Sequence, residues 1–236
     1  MKINQLLKTI IHSTVLKTIN FIFRQLSDTP FLVYKVHMRA VEDSVDYVEA
    51  KMQRAMHFNF REDLWRYSFN QRRNSGLVLE FGVWRGYSTQ FFAKKLPGNE
   101  RIYGFDSFEG LQEDWAGNDR PKGYFSLEGR LPKVRANVTL VKGFFNESVP
   151  DFLKSHSDTP VSFIHFDADT YEAAQTVFSL LGERITKGTV IVFDEYLGYR
   201  GWRIGEWKAW QEFVKEHSKE YEYLAFSDKQ VAIRIL

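Results

Sequence analysis

The chain has 236 residues, 44% hydrophobic and 26% charged, with a formal net charge of +2. That is the make-up of a globular protein with enough chain for one α/β domain and an added helical segment, and it argues against disorder. The absence of cysteine excludes disulfides, thiol nucleophiles and thiolate metal sites. With near-balanced charge and no interleaved basic and aromatic stripe, nucleic acid is not an expected partner.

The first 27 residues carry Lys2, Lys8, Lys17 and Arg24 with no acid before Asp28, and Ile3, Leu6, Leu7, Ile10, Val15, Ile19, Ile22 and Phe23 recur among them at helical spacing. This pattern predicts a basic amphipathic helix. It either packs on the domain or on a second copy of the chain, which is the preferred reading, or lies on an anionic membrane surface. No apolar run reaches the length of a membrane span and no leader pattern is evident, so the expected location is cytoplasmic, with peripheral membrane contact through residues 1–27 as the alternative. After Pro30, the stripe of Val41, Val45, Val48, Met52 and Met56 predicts a second helix whose apolar side is core. Phe58 to Arg73 places Phe60, Leu64, Trp65, Tyr67 and Phe69 among Arg61, Arg66, Arg72 and Arg73; it is expected to cap the ligand cleft, the arginines forming a solvated face by default. The resulting division is a helical extension or cap over 1–73 and a ligand-binding domain over 74–236.

From residue 77 onward strands and helices alternate, as in a mostly parallel, doubly wound sheet. Strands are expected at 77–81, 101–106, 137–142, 161–167 and 188–194, and helices near 87–96, 147–155, 170–183 and 204–217. Tyr221–Phe226 and Val231–Leu236 flank a three-residue turn, too short for a parallel crossover, so they predict a terminal antiparallel hairpin.

The most informative stretch is Val78-Leu-Glu-Phe-Gly-Val-Trp-Arg-Gly-Tyr-Ser88, a buried strand that breaks into a glycine turn and then a helix. Such a turn presents free helical N–H groups to a ligand. Its glycine spacing differs from the dinucleotide fingerprint, and Glu80 at the strand end would repel a pyrophosphate and welcome an ammonium group. An aminoacyl nucleoside therefore suits it better than a dinucleotide.

Four further stretches follow in order: Gly104-Phe-Asp-Ser-Phe-Glu-Gly-Leu111, Gly143-Phe-Phe145, His165-Phe-Asp-Ala-Asp-Thr-Tyr-Glu172 and Val192-Phe-Asp-Glu-Tyr196. Together with the glycine turn they resemble the class I S-adenosylmethionine-dependent methyltransferases, and within them the macrocin O-methyltransferase group. The resemblance implies a seven-stranded, Rossmann-like sheet, and N-terminal helices that build a homodimer and cover the active site. It also implies a cofactor site at Glu80, Gly82, Trp84, Gly86 and Ser88. Asp106, ending the second strand, matches the family's ribose-binding acid, with Ser107 and Phe108 along the nucleoside. Gly143 and Phe144 fall where relatives hold the adenine.

Asp167 ends the fourth strand and Asp194-Glu195 the fifth, which delivers three carboxylates to one sheet edge. Like charges at close quarters resist ionisation and burial, and a divalent cation relieves them. The resemblance implies the same, since these positions hold Mg²⁺ in cation-dependent relatives, although Glu195 stands where such relatives tend to have aspartate. The alternative has Asp167 contacting the cofactor's amino group and Asp194 capping a loop, with no metal. Asp169, beside Asp167, is the first candidate base; its alternative is a cap for the helix starting near Thr170. His165 reads as a hydrogen-bonded core residue. The aromatic loop beyond the fifth strand offers Tyr196, Tyr199 and Trp202 to a ring-bearing acceptor, or else packs them on the last helix. No serine elbow or phosphate-binding loop is present among the motifs.

The sequence thus predicts an S-adenosylmethionine-dependent O-methyltransferase, Mg²⁺-assisted, with Asp167 and Asp169 as catalytic residues and a small hydroxylated acceptor. A sugar of a natural product or glycan is preferred by family likeness. The alternatives are metal-independent N- or O-methylation, and a non-catalytic assembly or membrane-associated protein with this fold.

Overall fold

The computed structural model describes residues 14, 17, 18, 31–73 and 75–236. The expected helix over residues 1–27 therefore lies almost wholly outside the described residues. The chain divides into two compact units, Met1–Arg39 and Ala40–Leu236, and the sheet with both its cores belongs to the second. No helix of the described residues is long and apolar enough to cross a membrane.

Helix α1 spans Phe31–Lys51 and is followed by a two-residue strand β1 (Met56–His57) and helix α2 (Arg61–Asn70). The alternating region then gives β2 (Leu77–Phe81), α3 (Tyr87–Ala93), β3 (Ile102–Asp106), β4 (Val138–Lys142), α4 (Phe145–Lys154), β5 (Val161–Phe166), α5 (Tyr171–Leu181), β6 (Val190–Phe193) and α6 (Glu206–Glu216), and the chain ends in β7 (Tyr221–Ser227) and β8 (Gln230–Ile235). Every strand expected from residue 77 onward is present, each within two residues of its expected limits.

The sheet has eight strands in the order β1-β7-β8-β6-β5-β2-β3-β4. Strands β6, β5, β2, β3 and β4 run parallel, and β8 pairs antiparallel with both β6 and β7. The eighth strand, β1, adds parallel to β7 at the edge through Met56↔Ala225 and His57↔Phe226. A two-residue pairing leaves no period-two signal in a sequence, which is why seven strands were expected.

Side-chain alternation on β2 shows how the layers form. Leu77, Leu79 and Phe81 enter a core completed by α4, α5 and α6, where Phe152, Phe178, Trp210 and Phe213 pack. Val78 enters the opposite core, built with Leu64, Trp65 and Phe69 of α2 and Phe92 of α3. Helix α2, expected as a cap on the cleft, thus packs against β6, β7 and β8 with its aromatic side buried.

Residues 40–51 of α1 fasten the loop that follows β6. Asp43 grips Arg203 through two hydrogen bonds of 2.7 Å each, the Ser44 hydroxyl accepts from the Gly198 N–H at 2.9 Å, and the Tyr47 and Tyr223 hydroxyls meet at 2.6 Å. The Tyr223 hydroxyl also lies 3.0 Å from that of Tyr196.

Phe166 is fully buried at the centre of the sheet, stacked on Phe178 at 5.3 Å. Phe166→Ala is expected to lower stability by about 3–5 kcal/mol, read as a reduced urea midpoint with an unchanged denaturant slope.

Candidate active site

The parallel strands β2, β3, β4 and β5 end at a cavity of about 470 Å³. Its floor is knitted by backbone bonds between strand ends: Gly82 N–H donates to Phe105 O at 3.0 Å and Asp167 N–H to Phe81 O at 2.8 Å. Gly82 has φ +88°, and a Cβ there would sit 1.6 Å from the Asp167 carbonyl oxygen. Only glycine lets the turn and the end of β5 approach so closely.

Asp106 holds the glycine turn in place. Its Oδ2 accepts from the N–H groups of Val83 (2.9 Å) and Trp84 (2.7 Å), and its Oδ1 from Phe108 N–H (2.6 Å). A carboxylate has about four acceptor sites, so the Asp106 group, which borders the cavity, retains capacity for a ligand hydroxyl. The bonds also fix Trp84 at φ 46°, with its exposed ring 5.4 Å from Phe125 in an edge-on contact.

Of the residues expected at a cofactor, Gly82, Trp84, Asp106, Ser107, Gly143, Phe144 and Asp167 line this cavity. Glu80, Gly86, Ser88 and Phe108 do not. Gly86 takes the left-handed conformation that starts α3, and Ser88 and Phe108 are buried behind the wall. Glu80, expected to meet an ammonium group, has no solvent exposure; its Oε1 lies 2.9 Å from His165 Nδ1 and its Oε2 accepts from the Thr89 hydroxyl. Phe125 and Glu113 line the cavity but escaped the sequence reading, because the long connection between β3 and β4 has neither helix nor strand to give a periodic signal.

Beside this cavity five carboxyl groups crowd together. Asp167 and Asp169 come from the β5–α5 connection, Asp194 and Glu195 from the end of β6, and Glu206 from the first turn of α6. Burial, reinforced by the neighbouring carboxylates, pushes Asp167, Glu195 and Glu206 well above the usual carboxylate range and raises Asp169 to about 8. Three buried oxygens, Asp194 Oδ1, Glu195 Oε2 and Glu206 Oε1, have no hydrogen-bond partner. Glu206 was not anticipated; its Oε2 accepts from the Glu195 N–H at 3.3 Å. The expected trio divides between two groupings, since oxygens of Asp167, Asp169 and Glu195 converge within 4.8 Å, as do ligand atoms of His165, Asp167 and Asp194. An all-oxygen set with orphaned lone pairs fits a hard divalent cation.

The cap of α5 is Thr170, whose hydroxyl accepts from Ala173 N–H at 3.3 Å. Asp169 is therefore not needed as a cap; it lines the cavity at φ 65°. His165 is a core residue, as expected, but a charged one. Burial alone would lower its pKa, whereas Asp194 and Glu80 on either side hold it at about 10. Its Nε2 lies 3.7 Å from Asp194 Oδ1, an ion pair rather than a hydrogen bond.

Tyr196, Tyr199 and Trp202 are 0%, 4% and 1% exposed and line neither this cavity nor a second one, in keeping with the alternative that they pack inward. The clamp from α1 turns this loop inward, so Trp202 packs edge-on against Tyr47 and Trp207. A second cavity of about 360 Å³ adjoins Asp194 and Glu195 instead, bounded by Asn59–Glu62 and the turn Ser227–Gln230.

A glycine turn leading from a parallel strand into a helix, an acid ending the next strand and a terminal antiparallel hairpin together define the class I methyltransferase fold. A family model described as a methyltransferase domain matches residues 79–196, half of the chain, and the protein belongs to that family. Its sequence is similar to that of the Streptomyces olivaceus 8-demethyl-8-(2,3-dimethoxy-alpha-L-rhamnosyl)-tetracenomycin-C 4'-O-methyltransferase, 28% identical over 142 residues that cover 51% of this chain and 53% of that protein. The chain thus spans about half the length of this curated relative. Its fold is similar to that of the calicheamicin methyltransferase CalS11 (TM-score 0.59, 24% identity, 73% of this chain and 76% of that one). The O-methyltransferase NovP is similar too (TM-score 0.55, 17% identity, 74% and 78%).

Glu80→Ala would leave the buried His165 and Thr89 without their partner. A loss of about 3–5 kcal/mol is expected, measured by urea unfolding, with Glu80→Gln losing less because its amide oxygen still accepts from Thr89.

Proposed function

We propose that the protein transfers the methyl group of S-adenosylmethionine to a hydroxyl of a small acceptor, with Mg²⁺ seated in the acidic cluster of Asp167, Asp194 and Glu195, whose oxygens converge in two groups that share Asp167 and not as one preformed trio, and assisted by Asp169. The observation that carries this reading is a cluster of carboxylates beside a cavity that the Asp106-braced glycine turn also lines. When bound, the cofactor supplies a sulfonium methyl that needs little activation, and the cation lowers the pKa of an acceptor hydroxyl.

The chain's own residues do the rest. Asp106 accepts the ribose hydroxyls through the lone pairs its backbone bonds leave free, and Phe144 packs along the adenine. Asp167 and Asp169 complement the positive charge of the cofactor, a favourable pairing in a partly desolvated cleft. Asp169 takes the proton leaving the acceptor; burial, and then the nearby Asp194, raises its affinity for that proton, which suits a general base. The Streptomyces olivaceus relative is named for methylation of a rhamnosyl group, and by that likeness a sugar hydroxyl on a natural product or glycan is the preferred acceptor.

A second reading, methyl transfer without a metal, is favoured by one observation: His165 already offsets part of the charge of Asp194 from 3.7 Å.

Calorimetric titration of S-adenosylhomocysteine is expected to give micromolar binding, weakened about tenfold or more in Asp106→Ala. Asp106→Asn should fall between, since its amide oxygen still accepts from the turn. No binding by wild type would overturn the methyltransferase reading. Once an acceptor is in hand, a drop of about tenfold or more in turnover on adding EDTA, restored by Mg²⁺, is expected; turnover insensitive to EDTA would select the metal-free reading.

A further inference from the structure

Two of the protein's own cations serve the acidic corner, and they are held differently. His165 is fixed between acids, its Nδ1 2.9 Å from Glu80 Oε1 and its Nε2 3.7 Å from Asp194 Oδ1. Lys229, in the turn between β7 and β8, lines the second cavity together with Asp194 and Glu195. It forms no ion pair among the described residues. The other cation of that lining, Arg61, is committed to Glu62 at 3.5 Å and to the rings of Trp65 and Tyr87 at 5.1 and 5.5 Å. Lys229 is thus the cation of this wall that no partner has claimed.

Its backbone is anchored while its head is not. The Lys229 carbonyl accepts from Tyr196 N–H at 3.0 Å and Leu197 N–H at 3.4 Å, which ties the turn to the chain just past Glu195. Its Cγ passes over Gly198, 3.6 Å from where a Cβ would stand, and its Nζ lies 5.9 Å from the Tyr199 ring. An ammonium is a compact charge on a flexible four-carbon stem, and one tethered here cannot diffuse away; short tethers give effective concentrations on the order of millimolar. The charge is felt through space. Burial and then Asp194 raise the proton affinity of Asp169, and Lys229 opposes them. The corner's appetite for positive charge is strong, since Asp194 Oδ1, Glu195 Oε2 and Glu206 Oε1 are buried without a partner. A divalent ion entering it meets a like charge that already serves the same carboxylates.

We infer that Lys229 is the resident counter-cation of the acidic corner, and that it competes with a divalent cation for these carboxylates and so sets how tightly that cation is held. The inference rests on the metal-assisted reading for the identity of the competitor, but it is measurable without turnover. It gives the terminal hairpin, which lies beyond the family match at residues 79–196, a part in the site.

Calorimetric titration of Mg²⁺ into the full chain, without cofactor, tests it. Lys229→Met should tighten Mg²⁺ binding about tenfold or more. Lys229→Arg, which keeps the charge, and Lys215→Met, which removes one from the far end of α6, should stay within about twofold of wild type. Thermal unfolding supplies a second readout. In EDTA, Lys229→Met should melt below wild type, and saturating Mg²⁺ should close the gap; a gap that Mg²⁺ leaves unchanged marks a packing role and overturns the inference. Equal or weaker Mg²⁺ binding by Lys229→Met overturns it too, while leaving the metal-assisted reading in place. So does Mg²⁺ binding that survives Asp167→Asn, because the ion then sits elsewhere. Mg²⁺ bound by Lys229→Met and not by wild type would uphold the inference and select the metal-free reading for the native chain. Mg²⁺ bound by neither would remove the inference and the metal-assisted reading together.

Discussion

Five carboxyl groups in one corner of a protein are an electrostatic problem, and the arrangement of the site follows from how it is met. Asp169, Asp194, Glu195 and Glu206 are buried and Asp167 is half-buried. Burial and the neighbouring acids raise the proton affinity of Asp167, Asp169, Glu195 and Glu206, and three oxygens of the cluster lack a partner. Left to itself such a cluster would hold protons or loosen the fold. His165 supplies one buried positive charge against it, and Lys229 another from the hairpin turn. The remaining demand for positive charge is open to whatever enters the adjoining cavities, which is what makes the corner a binding site rather than a defect.

The counter-charge is delivered through the sheet. Glu80 and His165 are register partners on β2 and β5, and both project into the layer formed with α2 and α3, where the rings of Trp65 and Phe92 lie 5.2 and 5.1 Å from the imidazole. A slip of one residue between these strands would turn one member of the pair into the opposite, wholly apolar layer beside Phe81 and Phe105. The pair thus fixes the register of the two central strands. That same register sets Gly82 against Asp167, and the β5–β6 register, with His165 opposite Val192 and Phe166 opposite Phe193, brings Asp194 to the strand end beside Asp167, so strand pairing and site geometry are one constraint.

Much of this was readable from residue order. Alternation of apolar runs with helical stretches located the strands because each central strand is covered on both faces, and the glycine turn marked the ligand end because a left-handed backbone at Gly82 and Gly86 has few substitutes. Asp106, Asp167, Asp194 and Glu195 were legible because they stand at strand ends, where position along the chain nearly equals position in space. What was not legible depended on packing. Nothing local to Tyr196, Tyr199 and Trp202 shows that α1, some 150 residues earlier, folds them inward. Nor does anything in Glu80 reveal that His165 takes its carboxylate. Glu206 opens a helix with the acidic residue such a position favours, and only the tertiary structure carries it back to Glu195.

The grip of α1 on the loop after β6 bears on how the molecule is partitioned. Asp43, Ser44 and Tyr47 are far from the methyltransferase motifs in sequence, yet they contact the segment that connects Glu195 to Glu206, the first two by hydrogen bonds to Arg203 and Gly198 and Tyr47 by its ring against Trp202. The family match begins at residue 79, so a boundary drawn from the motifs would set aside the struts of the acidic corner. The hydrogen bonds of Asp43 and Ser44 tie residues 40–51 to residues 196–205, so separating the two segments breaks both sets of bonds. The loop that carries Glu195 into Glu206 thus takes its shape from a helix written some 150 residues earlier, one strut in space split into two places in the chain.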